Sequence, residues 1–386
     1  MIKSYKYRIY PKKEQEKKLL ATLTTCRYLY NNALSERIDT YRKDKTSTSY
    51  VDQANYISNN KNQYQKQVHS QVLQATLQRL DKSFRSFFNG LKKKIHVGFP
   101  RFKAENRFRS FCYPQSGFRV INDGTHIRLS KIGEIKLRYS RPTEGKIKTC
   151  IVVRDVDQWF VVLTCEQEQK KIINNNPSIG IDVGINKLAT LSNGTFIDNP
   201  RCLIKSQKRL SKEQRILARR RKGSNRRGIQ RIKVAKTYRK IGRQREDYLH
   251  KASTYLASNF GTIVFENLNV SGMLKNHCLA KHISDASWNK LIQFTTYKAE
   301  SAGGSVLKVD PKNTSQNCSG CGKKVSKTLA DRIHLCPYCG LEMDRDLNAA
   351  KNILNRAGSV LIYAQGDNVR HNTNPNRKSI MQLSLN

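Results

Sequence analysis

At 386 residues, with 38% of them hydrophobic, the chain exceeds the usual single-domain range and can fill at least one sizeable core, so two or three domains are expected and a wholly disordered chain is excluded. It carries 72 Lys and Arg against 29 Asp and Glu, a formal +43 whose self-repulsion calls for a polyanion, and nucleic acid is the partner class that fits. No apolar run of about 18 residues is present, and MIKSYKYRIYPKKEQ places charges where a signal peptide needs an apolar stretch. The expectation is a cytoplasmic protein, nucleoid-associated when bound to DNA, with no membrane contact.

IKSYKYRIYP alternates polar and apolar residues up to Pro11 and predicts a strand. From about 12 to 95 the chain lacks Gly before Gly90, and its apolar spacing, Leu73, Leu77, Leu80 then Phe84, Phe87, Phe88, predicts three or four helices. Residues 97 to 172 turn β-rich, with HIRLS, IGEIKLRYS and a hairpin about Asp155 and Asp157 in KTCIVVRDVDQWFVVLTCE. One strand before the helices and several after them predict a β-domain, 1–11 and 97–172, into which a helical domain, 12–96, is inserted. Tyr5, Tyr7, Tyr28 and Tyr30 lie beside cations, where core packing is weighed ahead of base stacking.

NNNPS at 174 to 178 reads as a linker, after which SIGIDVG and KLATLSNG predict two strands of a new domain. Lys and Arg then dominate from Leu203 to Lys251, with GSNRRG as a break between two basic helices; Arg219, Arg220, Arg221, Arg226, Arg227 and Arg231 are the expected contacts to a nucleic-acid backbone. GTIVFENL and GSVLKVDP predict two more strands flanking a helix over 286 to 302, and DRDLNAAKNIL predicts a closing helix. The boundaries are 177–314 with 341–357 for this α/β domain, a basic helical insertion at about 203–258, 315–340 for an inserted cysteine segment, and a flexible polar tail at 358–386.

Cys318, Cys321, Cys336 and Cys339 form C-x2-C-x14-C-x2-C, with glycines supplying two tight knuckle turns. Two close pairs of thiolates match a closed tetrahedral Zn(2+) site, which is structural because no coordination position is left for a substrate; His334 is then surplus. The other six cysteines are scattered, as expected of reduced thiols.

Carboxylates inside apolar strands stand out in so basic a chain. Asp182 lies within IGIDVG, and Glu266 follows TIVF, positions where an unpaired acid is costly. Hydrolysis of a phosphodiester uses hard divalent cations, Mg(2+) or Mn(2+), held about 4 Å apart by converging acids. The third acid is Asp346, with Asp344 as the alternative in MDRDLNAA, where an acid opening a helix can also be a simple N-cap.

These residues carry a resemblance. YKYRIYP, TCRYLYNNAL, GFPRFK, GIDVGINKLATLSNG, FENLNV, SWNKLIQFTTYKAESAGGSVLKVDPKNTSQNCSGCG and RIHLCPYCGLEMDRDLNAAKNIL, in this order from about residue 3 to 355, are similar to the TnpB (OrfB) proteins of insertion sequences, related to type V CRISPR effectors. The resemblance implies a multidomain α/β protein. It has an RNase H-like RuvC nuclease domain interrupted by a zinc ribbon, preceded by a β-barrel wedge domain with an inserted helical recognition domain. It further implies an RNA-guided DNA endonuclease, with a guide RNA from the transposon end and target double-stranded DNA as partners and a short motif beside the target. Asp182, Glu266 and Asp346 then hold the catalytic metals, and Arg332 matches a basic family position near them. A nuclease-silent RNA-guided binding protein, a DNA transposase and a zinc-ribbon RNA-binding structural protein are the competing readings.

Overall fold

The computed structural model describes residues 2–168, 174–328 and 331–371, with side chains described up to residue 358. The chain divides into two compact units that meet in sequence at Gln169 and Lys170. Residues 169–172 of the expected wedge domain and 372–386 of the expected tail lie outside the described residues.

The first unit begins with β1 (Ile2–Tyr10), whose alternation buries Tyr5, Tyr7 and Ile9 on one face. Four helices follow: α1 (Lys13–Asp44), α2 (Tyr50–Asn59), α3 (Gln63–Lys66) and α4 (Ser70–Lys92). Their apolar stripes, Leu19, Leu23 and Tyr30 of α1 with Leu73, Leu77 and Leu80 of α4, join one core with the strands. A buried polar contact locks α1 to α2, where Arg37 Nε donates to Gln53 Oε1 at 2.9 Å and Gln53 Nε2 to the Ala33 carbonyl at 2.9 Å. The remaining strands are β2 (Ser110–Tyr113), β3 (Phe118–Ile121), β4 (His126–Leu129), β5 (Gly133–Arg138), β6 (Lys146–Asp155) and β7 (Gln158–Glu166). The expected hairpin is β6 to β7, closing at Asp155 opposite Gln158.

These seven strands form one antiparallel sheet in the order β2-β6-β7-β1-β5-β4-β3, so β1 pairs with the last strand of its unit, and the four helices lie between β1 and the other strands in sequence. The expected barrel is not closed by a ladder. Among the described residues no pairing joins the two edge strands, β2 and β3. Three of the four tyrosines proposed for stacking are core residues; Tyr28 alone is exposed, under the Arg27 guanidinium.

The second unit opens with β8 (Ile179–Val183), β9 (Lys187–Leu191) and β10 (Phe196–Asp198), an antiparallel meander. Two basic helices follow, α5 (Cys202–Arg219) and α6 (Asn225–Asn259), then β11 (Thr262–Glu266), α7 (Val270–Met273), α8 (His277–Ala286), α9 (Trp288–Ser301) and β12 (Ser305–Val309). The cysteine segment contributes the hairpin β13 (Ile333–Leu335) with β14 (Glu342–Asp344), and α10 (Arg345–His371) closes the unit. The sheet order is β10-β9-β8-β11-β12, with β8, β11 and β12 parallel, so the apolar runs of β8 and β11 are covered on both faces. Ile179, Ile181, Ile263 and Phe265 pack under Leu249 and Leu256 of α6 and Leu291 of α9, while Val264 and Leu307 meet Ile353, Leu354 and Ala357 of α10.

Gly180 fixes how closely α10 approaches. A Cβ there would lie 2.2 Å from the Ala350 carbonyl oxygen and 2.7 Å from the Leu354 nitrogen, so the helix backbone rests directly on the strand. α10 also runs to His371, past the expected tail boundary at 358, because no proline interrupts it before Pro375.

Candidate active site and metal centre

The parallel ladder pairs Val264 with Gly180 and Phe265 with Ile181, so the next residues, Glu266 and Asp182, stand level on adjacent strands. Alternation puts them on the same face as Gly180 and Val264, the face that α10 covers. Neighbouring strands are about 4.8 Å apart, close enough for two carboxylates to converge. The strand end is held by Trp288, whose Nε1 donates to the Gly184 carbonyl at 3.1 Å.

The third acid comes from the helix. Asp346, Ala349, Ala350, Ile353 and Ala357 follow helical spacing, and the buried alanines and Ile353 show that this stripe faces the sheet. Asp344 is the cap: its Oδ1 accepts from the Asp346 N–H at 2.9 Å and the Leu347 N–H at 3.1 Å, and its Oδ2 lies 3.7 Å from Lys187 Nζ. Asp344 is thus engaged as the cap of α10, while Asp346 lies on the stripe that faces the sheet; both carboxylates act on Asp182.

The carboxylates act on one another. Burial, then the charges of Glu266 and Asp346, push the Asp182 carboxyl well above the usual carboxylate range, with Arg345 opposing. Burial raises Glu266 as well, against a hydrogen bond from the Thr314 hydroxyl and the nearby charge of Arg356. Arg345 donates to Asp346 Oδ1 through Nε at 3.2 Å and Nη2 at 3.1 Å. The three carboxylates do not form a ready single-ion cage; among the described residues only the cysteines bring three or more ligand atoms that close together. An all-oxygen acidic donor set that strains against its own charge suits hard divalent cations.

Arg332 is exposed, and its carbonyl accepts from the Arg345 N–H at 2.8 Å, which puts it beside the start of α10. Arg345, Thr314 and Arg356 were not singled out from the sequence. Arg345 was legible as the cation between two candidate acids, whereas nothing local marks Thr314.

The four cysteine sulfurs all lie within 4.8 Å of one another, with Cys318–Cys339 at 3.5 Å and Cys321–Cys336 at 3.6 Å. A tetrahedron with metal–sulfur bonds of about 2.3 Å has edges near ~3.8 Å, so the cluster fits zinc. Each knuckle is closed by backbone bonds, Gly322 N–H to Cys318 O at 2.9 Å and Gly340 N–H to Cys336 O at 3.0 Å, with both glycines at positive φ. His334 is buried and paired with Lys327, outside the cluster.

The basic helices α5 and α6 share a thin seam of Leu210, Val234 and Ile241. Arg219, Arg221, Arg226 and Arg231 are exposed, but Arg220 and Arg227 are half-buried. Arg227 donates Nη1 to the Leu217 carbonyl at 2.7 Å and the Arg220 carbonyl at 2.6 Å, so it caps the end of α5. The first unit holds a further basic surface, a cleft of about 830 Å³ lined by Arg79, Lys82, Arg101, Lys103, Phe99 and Phe108 with no carboxylate among its lining residues. Nothing in the sequence marks it, since its walls come from separate segments.

Over 389 residues the chain is 35% identical to "Putative RNA-guided DNA endonuclease" of Streptomyces pristinaespiralis, covering 98% of this chain and 93% of that one. It is 31% identical over 381 residues to "Putative RNA-guided DNA endonuclease InsQ" of Escherichia coli strain K12, covering 93% of each. The chain belongs to the TnpB (OrfB) family, related to type V CRISPR effectors. Residues 160–277 of this TnpB protein match the OrfB_IS605 family model, described as a probable transposase, and 288–353 match the Cas12f1-like TNB domain. A helix-turn-helix model matches 1–46, which here is one strand and one long helix. The fold is shared with a solved Cas12f1–sgRNA–target DNA complex, at a TM-score of 0.59 and 15% identity over 92% of this chain and 98% of that one. No described helix is long and apolar enough to cross a membrane.

Proposed function

We propose that this protein is an RNA-guided DNA endonuclease whose second unit is an RNase H-like RuvC domain, with Asp182, Glu266 and Asp346 holding Mg(2+) or Mn(2+) and the four cysteines holding a structural Zn(2+). The observation that carries this reading is the placement of Asp182 and Glu266 level on adjacent parallel strands, under the helix stripe that bears Asp346. Divalent cations bound there supply an activated water and stabilise the departing oxygen. The chain's own part is to hold the carboxylates on rigid elements: Gly180 seats α10, Asp344 caps it, and Trp288 fixes the end of β8. Arg332, whose backbone lies beside the start of α10, is assigned to meet the charge of the phosphate being cut. The exposed arginines of α5 and α6 and the acid-free cleft of the first unit suit the backbones of a guide RNA from the transposon end and of its target, with base pairing supplying specificity.

The test is cleavage of a plasmid library randomised beside a fixed target, by protein co-expressed with the transposon-end RNA, with and without Mg(2+). Guided, metal-dependent cutting that vanishes in Asp182→Ala and Glu266→Ala, while RNA binding survives, is the expected result. Guided binding without cutting refutes the nuclease assignment, and strand joining in place of hydrolysis favours a transposase.

A further inference from the structure

The cysteine ribbon and the carboxylate site are joined by buried side chains that neither site requires on its own account. Asn348, two residues beyond Asp346 on α10 and fully buried, accepts at Oδ1 from the Ser319 N–H at 2.9 Å and donates Nδ2 to the Asn317 carbonyl at 2.8 Å. These two backbone groups flank Cys318. Asn352, one turn further along α10, donates Nδ2 to the same Asn317 carbonyl at 2.7 Å and to the Thr314 carbonyl at 2.8 Å. Thr314, 3% exposed, offers its hydroxyl to Glu266. One continuous set of contacts therefore runs from the first cysteine knuckle to Asp346 through α10 and to Glu266 through Thr314.

A buried asparagine left without partners is costly, so these amides hold their geometry only while the knuckle presents Asn317 and Ser319 in place. The knuckle's turn is set by Cys318, Gly320 and Cys321 around their ion. We propose that Asn348, Asn352 and Thr314 are positioning residues which make the hold of the carboxylate site on divalent cations depend on an intact, metal-loaded ribbon. The inference rests on the assignment of Asp182, Glu266 and Asp346 as cation ligands and adds a dependence which that assignment does not contain. Partners that orient a ligand carboxylate typically change metal affinity by about 10- to 100-fold when removed, which sets the scale of the effect.

The experiment measures Mn(2+) binding to the full chain by electron paramagnetic resonance, with zinc content determined on the same samples. Asn348→Ala is expected to weaken Mn(2+) binding at least about tenfold while zinc content is unchanged. Thr314→Val, nearly isosteric, should weaken it likewise, and Thr314→Ser, which keeps the hydroxyl, should restore it. Cys321→Ser should lose zinc and weaken Mn(2+) binding together. Unchanged Mn(2+) affinity in Asn348→Ala overturns the coupling, as does equal behaviour of the Val and Ser variants of Thr314. Asp182→Ala separates the two claims: if it binds Mn(2+) like the wild type, the cation-site assignment itself is wrong, whereas its loss of Mn(2+) beside an unaffected Asn348→Ala removes only the coupling.

Discussion

Gly180→Ala tests whether the seating of α10 sets the geometry of the site. The added methyl would sit 2.2 Å from the Ala350 carbonyl oxygen, about 1.2 Å inside ordinary contact, and its next neighbours are the Leu354 nitrogen and Cβ at 2.7 and 2.9 Å. Two of the three are backbone atoms, so no rotamer change relieves the clash and the helix itself must lift. Overpacking of this kind costs about 1–3 kcal/mol, and a displacement near 1 Å at reacting groups costs about 100-fold in rate. Guided plasmid cleavage should therefore fall about 100-fold while guide-RNA binding holds, with a thermal midpoint lower by several degrees. Gly242→Ala is the control: it lies inside α6 with nothing within 4 Å of an added Cβ, and it should preserve cleavage and stabilise by about 0.5–1 kcal/mol. Wild-type cleavage by Gly180→Ala would refute the argument.

Three further outcomes follow from the same geometry. Because the folded Asp182 carboxyl binds its proton more tightly than the unfolded one, its favourable contribution is present below the ordinary carboxylate range and is lost as pH rises through the elevated value; in EDTA, Asp182→Asn should raise the melting temperature at pH 7 to 8 and leave it nearly unchanged at pH 4. Cys336→Ser should drop zinc from one ion per chain to almost none and abolish cleavage, and undiminished zinc by mass spectrometry would refute the ribbon assignment. Arg226→Ala should reduce the salt dependence of RNA binding by about one counterion, whereas Arg227→Ala should act on thermal stability through the lost cap of α5; identical salt slopes for the two variants would contradict the distinction.

Asp182 and Glu266 could be read from the sequence because an acid at the end of an apolar strand is expensive and therefore conspicuous. Asp346 and Asp344 could not be separated that way: both open a helix, and only the two backbone N–H groups on Asp344 identify the cap. The α10 stripe was present in the spacing of Ala349, Ala350, Ile353 and Ala357, but the two asparagines on the side of the helix away from Asp346 look like ordinary solvated residues until Asn317 and Ser319 are brought against them. Arg227 was hidden by its company, since within a run of arginines nothing local marks the one that turns back onto carbonyls. Closure of the seven-stranded sheet was equally illegible, because pattern gives strands and their faces but not which strands pair.

On the proposed reading, the protein places opposite charges at two kinds of surface. The exposed arginines of α5 and α6 and the acid-free cleft attract a polyanion anywhere along its length. The carboxylate cluster is recessed between a sheet and the first turn of α10, where burial already strains its ionised form. A phosphodiester drawn in by the arginines meets repulsion at the acids unless cations have neutralised them, so nucleic-acid occupancy of that pocket and cation occupancy must favour each other, and by linkage in equal measure. The cluster's cost to the metal-free fold and its selectivity for a metal-neutralised phosphate then have one origin, the packing of three acids whose burial Arg345 and Arg356 offset only in part.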